Sequence, residues 1–180
     1  MNSIVIIILL VAISAQVFPV ALGFNIRGKV VVTATGSLIL ILSQVLLFWI
    51  GLSTGSSFMY LLSGFDKAVL FIGFLLLAVR FLMEVFKIRK GDRTYQLDSI
   101  MPVLLASLAQ GINTFLLGII LSLITIDVNG AILVLAISST IFSLLGVIMK
   151  AERLGLSLAS LFYLLSGLVI LFSGAYFTFI

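Results

Sequence analysis

Chemistry in this chain rests on a few polar side chains set into long apolar runs: Gln16, Gln44, Gln110, Asn113 and the charged residues Arg80 and Glu84. A polar group in apolar surroundings is costly, so each is first a functional candidate. Gln16 is followed by Pro19, whose ring lacks an N–H and clashes with the carbonyl four residues back, that of Ala15. This spacing predicts a bent helix with a free Ala15 carbonyl beside the Gln16 amide. Gln110 lies one turn before Asn113 on the same helical face, with Gly111 between them, and Gln44 shares a face with Ser37 and Thr33. Gln16, Asn113, Gln44, Pro19 and Gln110 are therefore the candidate substrate-binding set, an oxygen-rich site in which Gln16 and Asn113 are candidate metal ligands. The structural alternative is that each amide bonds a neighbouring helix, a contribution of about 1 kcal/mol.

Arg80 and Glu84 stand four residues apart, on one helix face. They read as a self-neutralising pair or as a coupling or gating element. Lys87 follows Arg80 by seven residues, so the Arg80 side chain starts about 10 Å from the helix end, within snorkelling reach. Asp66, Lys67 and Asp127 fall at run ends and read as anchors or caps. Cysteine and histidine are absent from the sequence, which removes disulfides, thiol chemistry, Cys/His zinc sites and His-activated nucleophiles. With no intramembrane carboxylate dyad either, an enzyme is disfavoured and no cofactor is implied.

The elements that must position these groups are six apolar runs, at residues 3–23, 30–52, 65–86, 100–125, 130–149 and 155–177. Each is about 20 residues or longer, enough for a helix to cross a ~30 Å hydrocarbon layer. A strand alternation is missing, so an all-α integral membrane protein with six transmembrane helices is expected. Hydrophobic residues make up 63% of the chain and charged ones 9%. The first run lacks a basic leader and a small-residue cleavage site, so it reads as a retained span.

Basic residues follow every second run: Arg27 and Lys29, then Lys87, Arg89, Lys90 and Arg93, then Lys150 and Arg153, against Lys67 on the other face. This bias puts the basic loops in the cytoplasm and both termini outside. The net charge of +4 implies contact with anionic lipid headgroups rather than with nucleic acid. One transmembrane domain spans residues 1–180, with halves at about 1–87 and 99–180 joined by a cytoplasmic loop at 88–98. Three spans per half give the halves opposite orientation, the pattern of an inverted 3+3 repeat. Aligning Gln16 with Asn113 also pairs Phe18 with Phe115 and Ala21 with Gly118. Asp98 or Ser99 caps the fourth span, Pro102 sits in its first turn, and Asn129-Gly130 turns into the fifth. Small residues at contact spacing (Thr33 and Ser37; Ser139 and Ser143; Gly155 and Ala159; Ser166 and Ser173) favour close helix packing and permit a homodimer.

These stretches resemble the MntP-type manganese efflux pumps of the LysE superfamily. Ser14-Ala15-Gln16-Val17-Phe18 is similar to the family's Ser-x-Asp-x-Phe element in span one, with Gln16 in the Asp position. Residues 111–118 resemble its span-four element, with Asn113 in the Asp position, and residues 37–51, including Gln44, resemble its second span. Arg80 and Glu84 resemble the Arg-x-x-x-Glu run of the third, and Ser143-Leu144-Leu145-Gly146 the fifth. The resemblance implies an inverted repeat of six helices in a bacterial inner membrane, exporting a divalent cation, Mn²⁺, by alternating access. Gln16 and Asn113 keep oxygen acceptors but lose two negative charges. A carboxylate at ~4 Å from a dication contributes a gross attraction of about 8 kcal/mol at an effective dielectric of 20. Two alternatives follow: an exporter of a small polar or zwitterionic solute, and a non-transporting membrane scaffold.

Overall fold

The computed structural model describes residues 2–24, 30–58, 66–89, 97, 99–149 and 153–179, and these are helical except at short connections. The elements are α1 (Asn2–Ser14), α2 (Val17–Ala21), α3 (Val30–Phe58), α4 (Asp66–Arg89), α5 (Ile100–Leu121), α6 (Val128–Met149) and α7 (Arg153–Phe179). Taken with its short break, the α1–α2 segment Ser3–Ala21 is one of six stretches long and apolar enough to cross a membrane. Helices are the form such runs can take, because lipid offers no partner for backbone N–H and C=O groups. Most of the basic loop residues (Arg27, Lys29, Lys90, Arg93 and Lys150) lie outside the described residues, as does the Asp98 cap.

The first span is the most enclosed of the six. It runs through the middle, with α1 and α2 against α6 and α1 also against α7, while α3 packs along α5 and α4 along α7. Large side chains such as Phe18, Phe48, Phe74 and Phe81 fill the interior, and Leu38, Leu42, Leu46 and Trp49 of α3 face outward. Two seams bring backbones into contact through glycine. A Cβ on Gly118 of α5 would meet the Phe48 carbonyl of α3 at 2.5 Å, and one on Gly51 of α3 would strike the Phe115 carbonyl of α5. At the second seam, a Cβ on Gly146 of α6 would meet both the Phe18 carbonyl and the Ala21 Cβ at 2.6 Å. Nothing larger than hydrogen fits at these three positions.

Local departures from the expected pattern have physical causes. The first span is interrupted at Ala15 and Gln16, where the Ala15 and Gln16 N–H groups reach back three residues to Ala12 and Ile13, each at 3.3 Å. The Ala15 carbonyl denied a partner by Pro19 accepts the Phe18 N–H at 3.2 Å, so it is engaged rather than free. Helix α5 stops at Leu121, where the Ile124 N–H bonds the Leu121 carbonyl at 3.0 Å. Asn129 and Gly130 belong to the first turn of α6, which the Ala131 N–H closes onto the Asp127 carbonyl at 2.9 Å; the turn between spans is residues 122–127. Ser99 takes the extended N-cap conformation before α5 without a side-chain cap bond, and Pro102 sits in the first turn as expected.

Candidate functional site

The break in the first span turns Gln16 into the bundle, where it is fully buried. Its amide is saturated by two other helices. Nε2 donates to Gln44 Oε1 of α3 at 2.9 Å and to Thr114 Oγ1 of α5 at 2.8 Å, while Oε1 accepts from Asn113 Nδ2 at 2.8 Å. Gln110 Nε2, one turn before Asn113, donates to the Gln16 backbone carbonyl, and the Thr114 hydroxyl donates to Gln44 Oε1. Gln16, Gln44, Gln110 and Asn113 thus meet in one cluster, three of them far apart in sequence. Pro19 is buried in α2, three residues past Gln16, and lends no atom to the network; it contributes the break itself.

Beside this cluster the first span is tied to α6 and α7. Ser14 Oγ and Ser138 Oγ are in hydrogen-bond contact at 2.7 Å, and Ser166 Oγ donates to the Ala12 carbonyl at 2.6 Å. Several atoms in this interior have no hydrogen-bond partner among the described residues: Gln44 Nε2, Gln110 Oε1, Asn113 Oδ1, Ser139 Oγ and Ser143 Oγ. A buried orphan of this kind costs about 1–3 kcal/mol, so five together mark either strain or a place where something polar binds.

The cluster carries no formal charge. Among the described residues no group of three or more His, Cys, Asp or Glu side chains is placed to hold a metal ion. What it offers a cation is neutral oxygen, a hard donor type that suits Mn²⁺ by chemistry but not by charge. Glu84 lies on α4, buried at 6% exposure, and its Oε1 is held by Lys87 Nζ at 3.1 Å. That oxygen is engaged one turn nearer the helix end, where Lys87 is half exposed. Arg80 itself is partly buried. Arg89, at the end of the same helix, donates from Nε to Ser160 Oγ at 3.0 Å.

Thr114 is the member of the network that sequence reasoning did not single out. Its signal was the i, i+4 spacing from Gln110, which puts both on the face that meets Gln16. Two cavities lie at the end of the bundle that holds the start of α1, the end of α3 and the 122–127 turn. One, about 190 Å³, is lined by Ser3, Leu10, Thr125 and Asp127; the other, about 370 Å³, by Trp49, Ser53, Ser122 and Thr125.

Comparison with curated proteins and with solved structures gave no match. A family model described as "Putative manganese efflux pump" matches residues 27–177, which include Gln44, Arg80, Glu84, Gln110, Asn113 and Thr114 and begin after Gln16. With most of its length, four whole spans and nearly all of a fifth inside that match, this multi-pass chain belongs to the MntP family, a family of transporters and not of enzymes.

Proposed function

We propose that this protein exports a divalent cation, Mn²⁺ by kinship, from the cytoplasm across a bacterial inner membrane, with the Gln16–Gln44–Gln110–Asn113–Thr114 cluster as its crossing point. The observation that carries the reading is the convergence of these side chains from three separate elements deep inside the bundle. Both termini lie outside and the basic loops in the cytoplasm. The pairing of helices supports an inverted repeat. Exchanging the halves (α1–α2 with α5, α3 with α6, α4 with α7) converts the α3–α5 contact into α6 with α1–α2 and leaves α4–α7 unchanged. The same exchange, pairing Phe18 with Phe115, relates Gly51 on the Phe115 carbonyl to Gly146 on the Phe18 carbonyl. Two such halves rocking about a shared site produce alternating access. Glu84, a carboxylate buried in α4, serves coupling or gating together with Arg80.

Gln16 and Asn113 occupy the positions that carry Asp in the family pattern, so this chain attracts a dication less strongly than an acid-bearing relative. The uncharged cluster favours, as second reading, export of a small polar or zwitterionic solute. Purified protein in liposomes separates these. Mn²⁺ flux is expected from the wild type, with a loss of about tenfold or more in Gln16→Ala with Asn113→Ala, where several contacts of about 1 kcal/mol are removed together. Mn²⁺ flux that survives both substitutions contradicts the site assignment; amino-acid flux without Mn²⁺ flux favours the second reading.

A further inference from the structure

The cavity of about 190 Å³ is a groove between two helices that enter the bundle side by side. It follows α1 from Ser3 to Leu10 and α6 from Gly130 to Val134, with Thr125 and Asp127 at its mouth. A Cβ on Gly130 would come within 2.5 Å of Asp127 Oδ2, so glycine keeps the space beside that carboxylate open. Several waters fit such a volume, at about 30 Å³ each. The lining ends at Leu10 on one wall and Val134 on the other. One turn deeper, four residues on along each helix, stand Ser14 and Ser138, with their Oγ atoms 2.7 Å apart. This pair closes the groove. Gln16, the centre of the amide cluster, follows Ser14 by two residues, about 3 Å further in.

The closure can part at little cost. Ser14 Oγ lies 2.8 Å from the Leu10 carbonyl and Ser138 Oγ 2.6 Å from the Val134 carbonyl. Two hydroxyl hydrogens thus serve three oxygen–oxygen contacts of 2.8 Å or less. While α1 and α6 touch, one serine turns its hydrogen to the other and leaves its own carbonyl. When they separate, each hydroxyl donates to the carbonyl of its own helix. The number of hydrogen bonds is the same in both arrangements, and no donor is orphaned on opening. The cavity of about 370 Å³ ends differently. Leu52 and Leu121 line it, and deeper along the same helices Gly118 lies against the Phe48 carbonyl, where a Cβ would come within 2.5 Å. Backbone packed on backbone has no such exchange to make.

We infer that the groove between α1 and α6 is the passage joining the amide cluster to this face of the membrane, with Ser14 and Ser138 as its gate. The inference rests on the export reading above, in which this face is the outer one. Asp127 gives the mouth a negative charge, which raises the local concentration of cations. The hydroxyls of Ser3 and Thr125 line the way, and the Ser14–Ser138 pair offers oxygen to a cation once it parts.

Two experiments test this, one of them independent of cargo. In right-side-out vesicles, a charged, impermeant thiol reagent is added outside the full chain carrying Asn113→Cys. Val134→Trp, which fills the groove, is expected to slow that labelling about tenfold; Ser53→Trp, which fills the other cavity, is expected to leave it within about twofold. Labelling indifferent to Val134→Trp overturns the passage. In liposomes, Ser14→Cys with Ser138→Cys is expected to form a disulfide under oxidant, counted as lost thiols, and to lose Mn²⁺ flux about tenfold or more until reduced. Thiols that stay free under oxidant, or a disulfide that leaves flux intact, overturn the gate. Mn²⁺ flux in the wild type with labelling indifferent to Val134→Trp removes the groove and leaves the export reading standing. Shielding by Val134→Trp without Mn²⁺ flux in the wild type does the reverse.

Discussion

Along α4 and α7, Phe81 and Tyr163 lie 5.1 Å apart, Phe74 and Phe177 stack at 6.1 Å, and Gly174 admits the Phe74 Cβ against its backbone. Across α2, α3 and α5 the contact is of another kind: amides and a hydroxyl bonded to one another around Gln16, flanked by orphaned oxygens. The first seam buries aromatic area and leaves its helices one well-defined way to pack. The second engages Gln16 on both sides of its amide while leaving partners half satisfied, a cost that a bound polar group would relieve. A transporter needs both kinds of seam: a hinge-bearing or rigid one, and one whose bonds can be exchanged for those of a cargo. The helix break at Ala15–Gln16 belongs to the second, whereas α4 and α7 run unbroken.

The comparison is most severely tested at glycine. Gly118→Leu places side-chain atoms into the α3 backbone at Phe48 and is expected to cost about 3 kcal/mol or more, read as loss of folded protein in a detergent thermal melt. Gln16→Leu removes the donor and acceptor that hold Gln44, Thr114 and Asn113 together. A loss of about 2 kcal/mol is expected from three interhelical bonds, and a larger fall in flux than in stability. If flux and stability fall in proportion, the cluster is a structural lock like the aromatic seam. Gln16→Asp with Asn113→Asp supplies two negative charges and is expected to raise Mn²⁺ flux and Mn²⁺ affinity by about tenfold, since a desolvated carboxylate outweighs an amide by more than 1 kcal/mol even after screening. Unchanged Mn²⁺ dependence in that variant would place the cargo elsewhere. Smallest of all is Lys87→Ala, which breaks the ion pair to Glu84. Because Lys87 is half exposed, a change of about 0.5 kcal/mol or less is expected in the melt.

The six spans were legible because an apolar run of that length has few alternatives in lipid, and Gln16, Gln44, Gln110 and Asn113 stood out because amides are conspicuous there. Thr114 did not stand out, and Ser139 read, with Ser143, as a helix-packing position. Serine and threonine are common in membrane helices and often bond their own helix, as Ser43, Ser138 and Thr140 do here, so their type alone does not announce a tertiary role. Which residues they face depends on how α3, α5 and α6 rotate about their axes. That rotation is set by Gly51, Gly118 and Gly146, whose meaning appears once their partners are known. The Ala15 carbonyl was misjudged because the chain tightened to three-residue bonds around Pro19 instead of leaving it open. Asn129-Gly130 carries turn chemistry yet starts a helix, since Asp127 precedes it and closes that helix's first turn.

The claim that cargo passes through the cluster meets its most direct test at two adjacent residues of α5. The chain has no cysteine, so Asn113→Cys and Ile112→Cys each carry a single thiol, one at the cluster and one on the outward face. Labelling by a charged, membrane-impermeant thiol reagent in liposomes is expected to be rapid at position 113, to stop flux, and to be slowed by Mn²⁺, with position 112 inert. Equal labelling at both positions, or labelling at 113 that Mn²⁺ leaves unchanged, would contradict passage through the amides.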